Sequence, residues 1–177
     1  MNERARSLWA VTRLHVWPET YRLVSLPAAN WSGSSKKSDI GSLLADLNPT
    51  SGGSFFAMIV EREEISLTVD ENAWQSIAQR AQETIRPDVP SSSQDQVEPD
   101  RAAARAWAGE GPFRAISFDL NIDLDVTGYL APALAALAEN GVPVVPQCAF
   151  LKDHILVHER DLKVARAVLE KLIASCQ

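Results

Sequence analysis

Stretches in which apolar and polar residues alternate at every second position give way, along the chain, to stretches with an apolar residue every three or four. That succession predicts strands and helices layered together, an α+β fold. Residues 8–16 (Leu8-Trp9-Ala10-Val11-Thr12-Arg13-Leu14-His15-Val16) and 20–27 read as strands, with Pro18 and Glu19 breaking the run between them. Ser, Gly and Lys at 30–37 mark a surface loop, and a short helix is predicted over 40–47. Gly52 and Gly53 introduce a strand over 54–60, and the charged break Glu61-Arg62-Glu63-Glu64 separates it from another over 65–69, as in an antiparallel hairpin. Asp70 or Glu71 is placed to cap a helix whose Trp74, Ile77, Ala78 and Ala81 form one apolar stripe. Prolines, serines and acids over 86–101 leave little to bury and mark a linker or insertion.

The second half predicts a strand over 113–120, a helix over 127–140 stopped by Gly141, strands over 142–149 and 154–157, and a last helix over 161–173 with Leu162, Ala165, Val168, Leu169 and Leu172 on one side. This β-α-β-β-α order lacks only the final strand of a ferredoxin-like βαββαβ unit, and the first half repeats it approximately. Seven strands are predicted where two units need eight. Residues 8–16 are therefore expected to complete the second sheet. The domain division follows as a unit over 1–85, a linker or insertion over 86–106 and a second unit over 107–177.

Charge and composition narrow the partners. The chain has 177 residues and 46% apolar content, enough for one medium domain or two small ones, and 17 Lys+Arg against 23 Asp+Glu give a net charge of −6. No basic footprint for a phosphate backbone is expected, so nucleic acid is excluded as a partner. No run of roughly 18 apolar residues occurs and the start Met1-Asn2-Glu3-Arg4 is polar, so no membrane partner is expected and a cytoplasmic location is. Cys148 and Cys176 are too few for a disulfide framework and lack metal-ligand spacing, which agrees with a reducing compartment. Neither a metal nor a cofactor is expected.

Several constellations bear on function. A helix starting near Gly128 would expose unpaired N–H groups and a positive dipole end, with no side chain at Gly128 to block approach, which suits a ligand carboxylate. Ordinary capping by Asp125 or Thr127 accounts for the same residues. Asp119, Asn121, Asp123 and Asp125 alternate, as a calcium loop does, but Leu124 stands at the sixth position instead of Gly and Leu130 at the twelfth instead of Glu. The acids are better suited to a ligand's ammonium or guanidinium group, or simply to a solvated strand end. Pro143 and Pro146 place their strand at a sheet edge, where Gln147 and Cys148 either line a pocket or pack half-buried. His15, His154 and His158 show neither helical metal spacing nor a nucleophile partner, and nothing activates Cys148 toward His154. The five tryptophans, Trp9, Trp17, Trp31, Trp74 and Trp107, are scattered without interleaved basic residues and read as packing.

The stretch Leu120-Asn121-Ile122-Asp123-Leu124-Asp125-Val126-Thr127-Gly128-Tyr129-Leu130, followed by Phe150-Leu151-Lys152-Asp153-His154-Ile155-Leu156-Val157, resembles the small-molecule-binding ACT domains. It is most similar to tandem-ACT proteins related to cytosolic arginine sensors and to short bacterial ACT proteins. His154 stands where that pattern has Tyr, and the first half agrees more loosely, through 21–26, 53–56 and 64–67. The resemblance implies two ferredoxin-like ACT-type units side by side, and a non-catalytic regulatory or sensor protein. An amino acid or similar small effector would sit where the first strand-to-helix turn of one unit meets a neighbour's edge strand. Carried over by residue, the turn supplies Asp123, Asp125, Val126, Thr127 and Gly128, and the facing strand Val145, Gln147, Cys148 and Phe150. A homodimer or a regulatory protein partner is the further expectation, and a pure protein–protein interaction module is the alternative reading.

Overall fold

The first apolar run opens as a helix, where the sequence pattern predicts a strand. In the computed structural model, which describes residues 1–27, 55–84 and 108–177, α1 spans Glu3–Val11 and only Leu14–Val16 (β1) is extended. The reason lies upstream of the run. Ala5, Leu8, Trp9 and Thr12 follow the i, i+3, i+4, i+7 spacing of a helix face, and the Asn2 side chain caps it by accepting the Ala5 N–H at 2.7 Å. The β-branched and aromatic content of 8–16 suggested a strand because that window omits Asn2 and Ala5.

The remaining elements are β2 (Tyr21–Pro27), β3 (Ala57–Val60), β4 (Glu64–Asp70), α2 (Glu71–Thr84), β5 (Ala108–Phe118), α3 (Ala131–Glu139), β6 (Val144–Cys148), β7 (Asp153–His158), a 3-10 turn and α4 (Leu162–Cys176). They fall into two compact units, one of Met1–Thr20 with Gly111–Gln177 and the other of Tyr21–Glu110. These cuts differ from the sequence boundaries at 85 and 107. The cause is pairing: β1 hydrogen-bonds to β5 in the antiparallel register Leu14↔Phe118 to Val16↔Ile116, which takes the first twenty residues into the unit of the C-terminal half.

That unit has an antiparallel sheet in the order β1-β5-β7-β6. Counted as β5, β6, β7 and then β1, it is the 4-1-3-2 order of a ferredoxin-like sheet whose fourth strand comes from the chain's beginning. One face carries α1, α3 and α4 over a core of Trp9, Ile116, Phe118, Tyr129, Leu137, Ile155, Val157 and Leu169. Helix α3 begins at Ala131, four residues later than the periodicity predicts, because 127–130 form turns and Pro132, which lacks an N–H, suits the first helical turn. Its end is as expected. Gly141 has φ +69°, the Gly141 N–H bonds the Ala138 carbonyl at 3.0 Å and the Val142 N–H bonds the Leu137 carbonyl at 3.0 Å, closing a Schellman cap over the apolar pair Leu137 and Val142.

In the other unit β4 pairs antiparallel with both β2 and β3, and Val24, Leu26, Ile65, Leu67 and Val69 make the core beside Phe56, Ala73 and Trp74. Asp70 is the residue that caps α2, accepting from the Asn72 and Ala73 N–H groups at 3.0 Å each. Arg22 pairs with Glu71 at 2.8 Å across the start of the helix. The helix predicted over 40–47 and the linker over 86–106 lie outside the described residues.

Candidate functional site

Strand β5 ends at Phe118 because the following Asp119-Leu120-Asn121 leaves the ladder, and the chain then crosses irregularly to α3. The 119–130 crossing is held against the β6–β7 hairpin. The Ile122 N–H donates to the Leu151 carbonyl at 3.1 Å, and Lys152 forms an ion pair with Asp119. The hydrogen bond and charge of Lys152 hold the Asp119 carboxyl below its ordinary value. Between crossing and hairpin lies a cavity of about 350 Å³. Its lining includes the apolar residues Ile122, Val126 and Leu130, the small residues Gly128 and Ala131, and the charged residues Asp123, Lys152 and Asp153. Its size is at the lower end of the ~300–1,000 Å³ typical of small-molecule sites.

Of the residues expected to bind, Asp123, Val126, Gly128, Cys148 and Phe150 line this cavity, whereas Asp125, Thr127, Val145 and Gln147 do not. The Asp125 carboxylate faces the N-terminal helix and accepts two bonds from Arg4, at 3.2 and 3.3 Å, and the Thr127 carbonyl accepts from the Asn2 amide at 3.0 Å. Val145 and Gln147 are excluded by strand alternation. They sit one and three residues from the ends of a five-residue strand whose last residue, Cys148, lines the cavity, and side chains of odd and even positions lie on opposite faces. Gln147 is buried and pairs in register with His154.

The reading of Gly128 as a helix N-terminus needs correction, since α3 starts three residues beyond it and its N-cap, Leu130, offers no side-chain acceptor. Gly128 instead occupies a left-handed turn with φ +77°, the conformation that favours glycine. Neither Asp125 nor Thr127 is the cap. Ala131, the first residue of α3, nonetheless lines the cavity.

Sequence reasoning missed Lys152 and Asp153, although both stand within the quoted 150–157 stretch, because that stretch reads as the lead-in to a strand. It also missed Arg4 and Asn2, for which no local signal exists. The thiol of Cys148 is pushed up by desolvation and by its hydrogen bond to Asp153, so it stays protonated and is a poor nucleophile. His154 is engaged elsewhere, with Nδ1 2.6 Å from the Ser117 hydroxyl, which in turn accepts from Trp17 Nε1 at 2.7 Å. An indole only donates, so Ser117 accepts from Trp17, and its contact with His154 closes a chain of three side chains, Trp17, Ser117 and His154.

Burial lowers the His154 pKa from its ordinary 6.5, so the folded state favours the neutral ring. The unfolded chain therefore binds more protons over the interval between the two values, and stability is complete above about pH 6.5 and declines as pH falls below it. Urea midpoints for the wild type are expected to drop between pH 7.5 and 5.0, and the drop is expected to be smaller in His154→Gln. An equal drop in the two proteins would show that the histidine contributes nothing to it.

Residues 109–171 match the family model of the ACT domain. No curated protein matches the chain. Among solved structures, a Vibrio cholerae protein of unknown function is similar with a TM-score of 0.59 at 15% identity, covering 95% of this chain and 94% of that one. The regulatory subunit of aspartate kinase from Thermus thermophilus gives 0.55 at 13% identity, with 92% and 98% covered. Clostridium acetobutylicum aspartate kinase gives 0.62 at 12% identity, with 92% of this chain and 34% of that one. At these identities the likeness is one of fold.

Proposed function

We propose that this protein is a non-catalytic regulatory or sensor protein that binds an amino acid or similar small effector at the cavity between the 119–130 crossing and the β6–β7 hairpin. The observation that carries the reading is the cavity itself, within the segment that matches the ACT domain, with apolar walls, a carboxylate at Asp123 and an ammonium at Lys152. A zwitterion has the complementary groups: its amino group suits Asp123, its carboxylate suits Lys152 and the backbone at Ala131, and its side chain suits Val126 and Leu130. The rim is exposed and apolar, with Leu124 77% and Phe150 76% exposed. An ACT-type unit of another copy would complete the site there, as the resemblance implies. The same rim supports the rival reading of an interaction module without a small ligand.

A panel of the twenty amino acids in a thermal-shift assay tests the proposal, because a ligand of the native state at 100 times its Kd adds about 2.7 kcal/mol of stability. At least one amino acid is expected to raise the Tm by several degrees, and Asp123→Asn is expected to weaken that ligand roughly tenfold, about 1.4 kcal/mol. Concentration-dependent mass with no response to any amino acid at millimolar concentration would favour the interaction module.

A further inference from the structure

The crossing that supplies Asp123, Val126 and Gly128 to the cavity is tied to the first four residues of the chain. The Arg4 guanidinium lies 3.2 Å from Asp125 Oδ1 and 3.6 Å from Asp123 Oδ2, and Asn2, while capping α1, donates to the Thr127 carbonyl at 3.0 Å. Both carboxylates thus face a cation contributed by the protein itself, and one of them, Asp123, also lines the cavity.

From this we infer that the N-terminus of α1 is an internal latch on the binding crossing, in which Arg4 occupies the carboxylates as a stand-in for the effector's cationic group and is displaced from Asp123 when an amino-bearing effector enters. The inference rests on the proposed reading of the cavity. Its physical basis is competition for one carboxylate. The contacts are those of a weak, exchangeable pair, since the side chains of Arg4, Asp123 and Asp125 are 55%, 85% and 74% exposed, and exposed ion pairs are readily given up to a better-placed cation. Arg4 keeps a two-bond fork on Asp125, so it has a resting place once Asp123 is taken. Helix α1 stays seated throughout, because Trp9 is fully buried. Only the Arg4–Asp123 contact is given up, while the bonds from Arg4 to Asp125 and from Asn2 to the Thr127 carbonyl persist. A ligand that binds the released state preferentially shifts the latch by its difference in affinity for the two states, so effector occupancy becomes legible at the chain's N-terminus.

Arg4→Gln removes the stand-in cation, and Arg6→Gln is its control, with the same charge change on the same helix turn but a guanidinium that bonds the Ser175 carbonyl at 3.2 Å. The probe is whichever amino acid gives the largest thermal shift, titrated calorimetrically. Arg4→Gln is expected to bind it three- to tenfold more tightly than wild type, with Arg6→Gln unchanged and with the N-acetylated probe showing no dependence on Arg4. Without ligand, amide hydrogen exchange over 123–128 is expected to quicken in Arg4→Gln and not in Arg6→Gln. Equal affinity for the probe in Arg4→Gln and wild type would overturn the latch while leaving the cavity reading intact. The same gain in Arg6→Gln would also overturn it, as a general charge effect. No binding to any of the three proteins overturns the cavity reading and the competition with it.

Discussion

Replacing Trp9 by alanine is expected to lower the unfolding free energy of the unit formed by residues 1–20 and 111–177 by about 3–5 kcal/mol, the range for deleting a large aromatic side chain from a core. Trp9 is fully buried, stacks on Tyr129 at 4.9 Å and meets Phe118 edge-on at 5.2 Å. Its Nε1–H donates to the Tyr129 carbonyl at 2.7 Å, so the alanine variant leaves a buried acceptor unpaired as well as a void. Tyr129 is held from its other end, where its hydroxyl lies 2.7 Å from Thr12 Oγ1, and burial pushes that phenol up to about 12. The aromatic group therefore joins α1 to the segment leading into α3. Trp9→Phe separates the two contributions. It keeps much of the stack and loses the donor, and it is expected to lose about 1–3 kcal/mol. Denaturant midpoints read both variants, and a Trp9→Ala protein as stable as wild type would show that α1 is an ornament on this core.

Removing residues 1–20 altogether is expected to abolish cooperative unfolding of the same unit. Deletion of Trp9 alone is worth a large part of the roughly 5–15 kcal/mol by which a domain is stable, and the truncation also strips β1 from β5. That leaves Ile116 and Phe118, both fully buried in the intact chain, beside an unpaired strand edge. The expected readout is loss of the sharp thermal transition together with concentration-dependent aggregation. A separate peptide of residues 1–20 is expected to restore the transition, since strand pairing does not need a covalent link. A truncated chain that melts as sharply and as hot as the intact one would mean that β1 is dispensable to the sheet.

These expectations differ in how far the sequence foretold them. The Gly141 cap, the Asp70 cap and the β2, β4 and β7 strands were legible, because a cap is settled within one helical turn and a strand by its period of two. The start of α3 was misplaced by four residues since 127–130 carry enough apolar spacing to extend a helix that the turns preceding Pro132 refuse. The strand assigned to 8–11 failed for a different reason: Trp9 and Val11 favour a strand locally, but the helical spacing of Ala5, Leu8, Trp9 and Thr12 and the Asn2 cap outweigh that preference. At the cavity, Asp123, Val126, Gly128, Cys148 and Phe150 were named on their match to a family pattern. Val145 and Gln147 were named with them and lie outside the cavity lining, because the pattern gives a strand's span and not which of its faces meets the turn.

By itself, then, the sequence determined the alternation of strands and helices, the places where helices stop and the stretch in which a ligand turn is to be sought, since each of these is decided among residues a few positions apart. Tertiary structure alone decided that the strand completing the C-terminal sheet is confined to residues 14–16 of the expected 8–16, that Lys152 meets Asp119, and that Arg4 reaches Asp125 across 121 positions. Such pairings leave no periodic trace along the chain. They exist only once the chain has closed on itself and burial has fixed which distant side chains share a face.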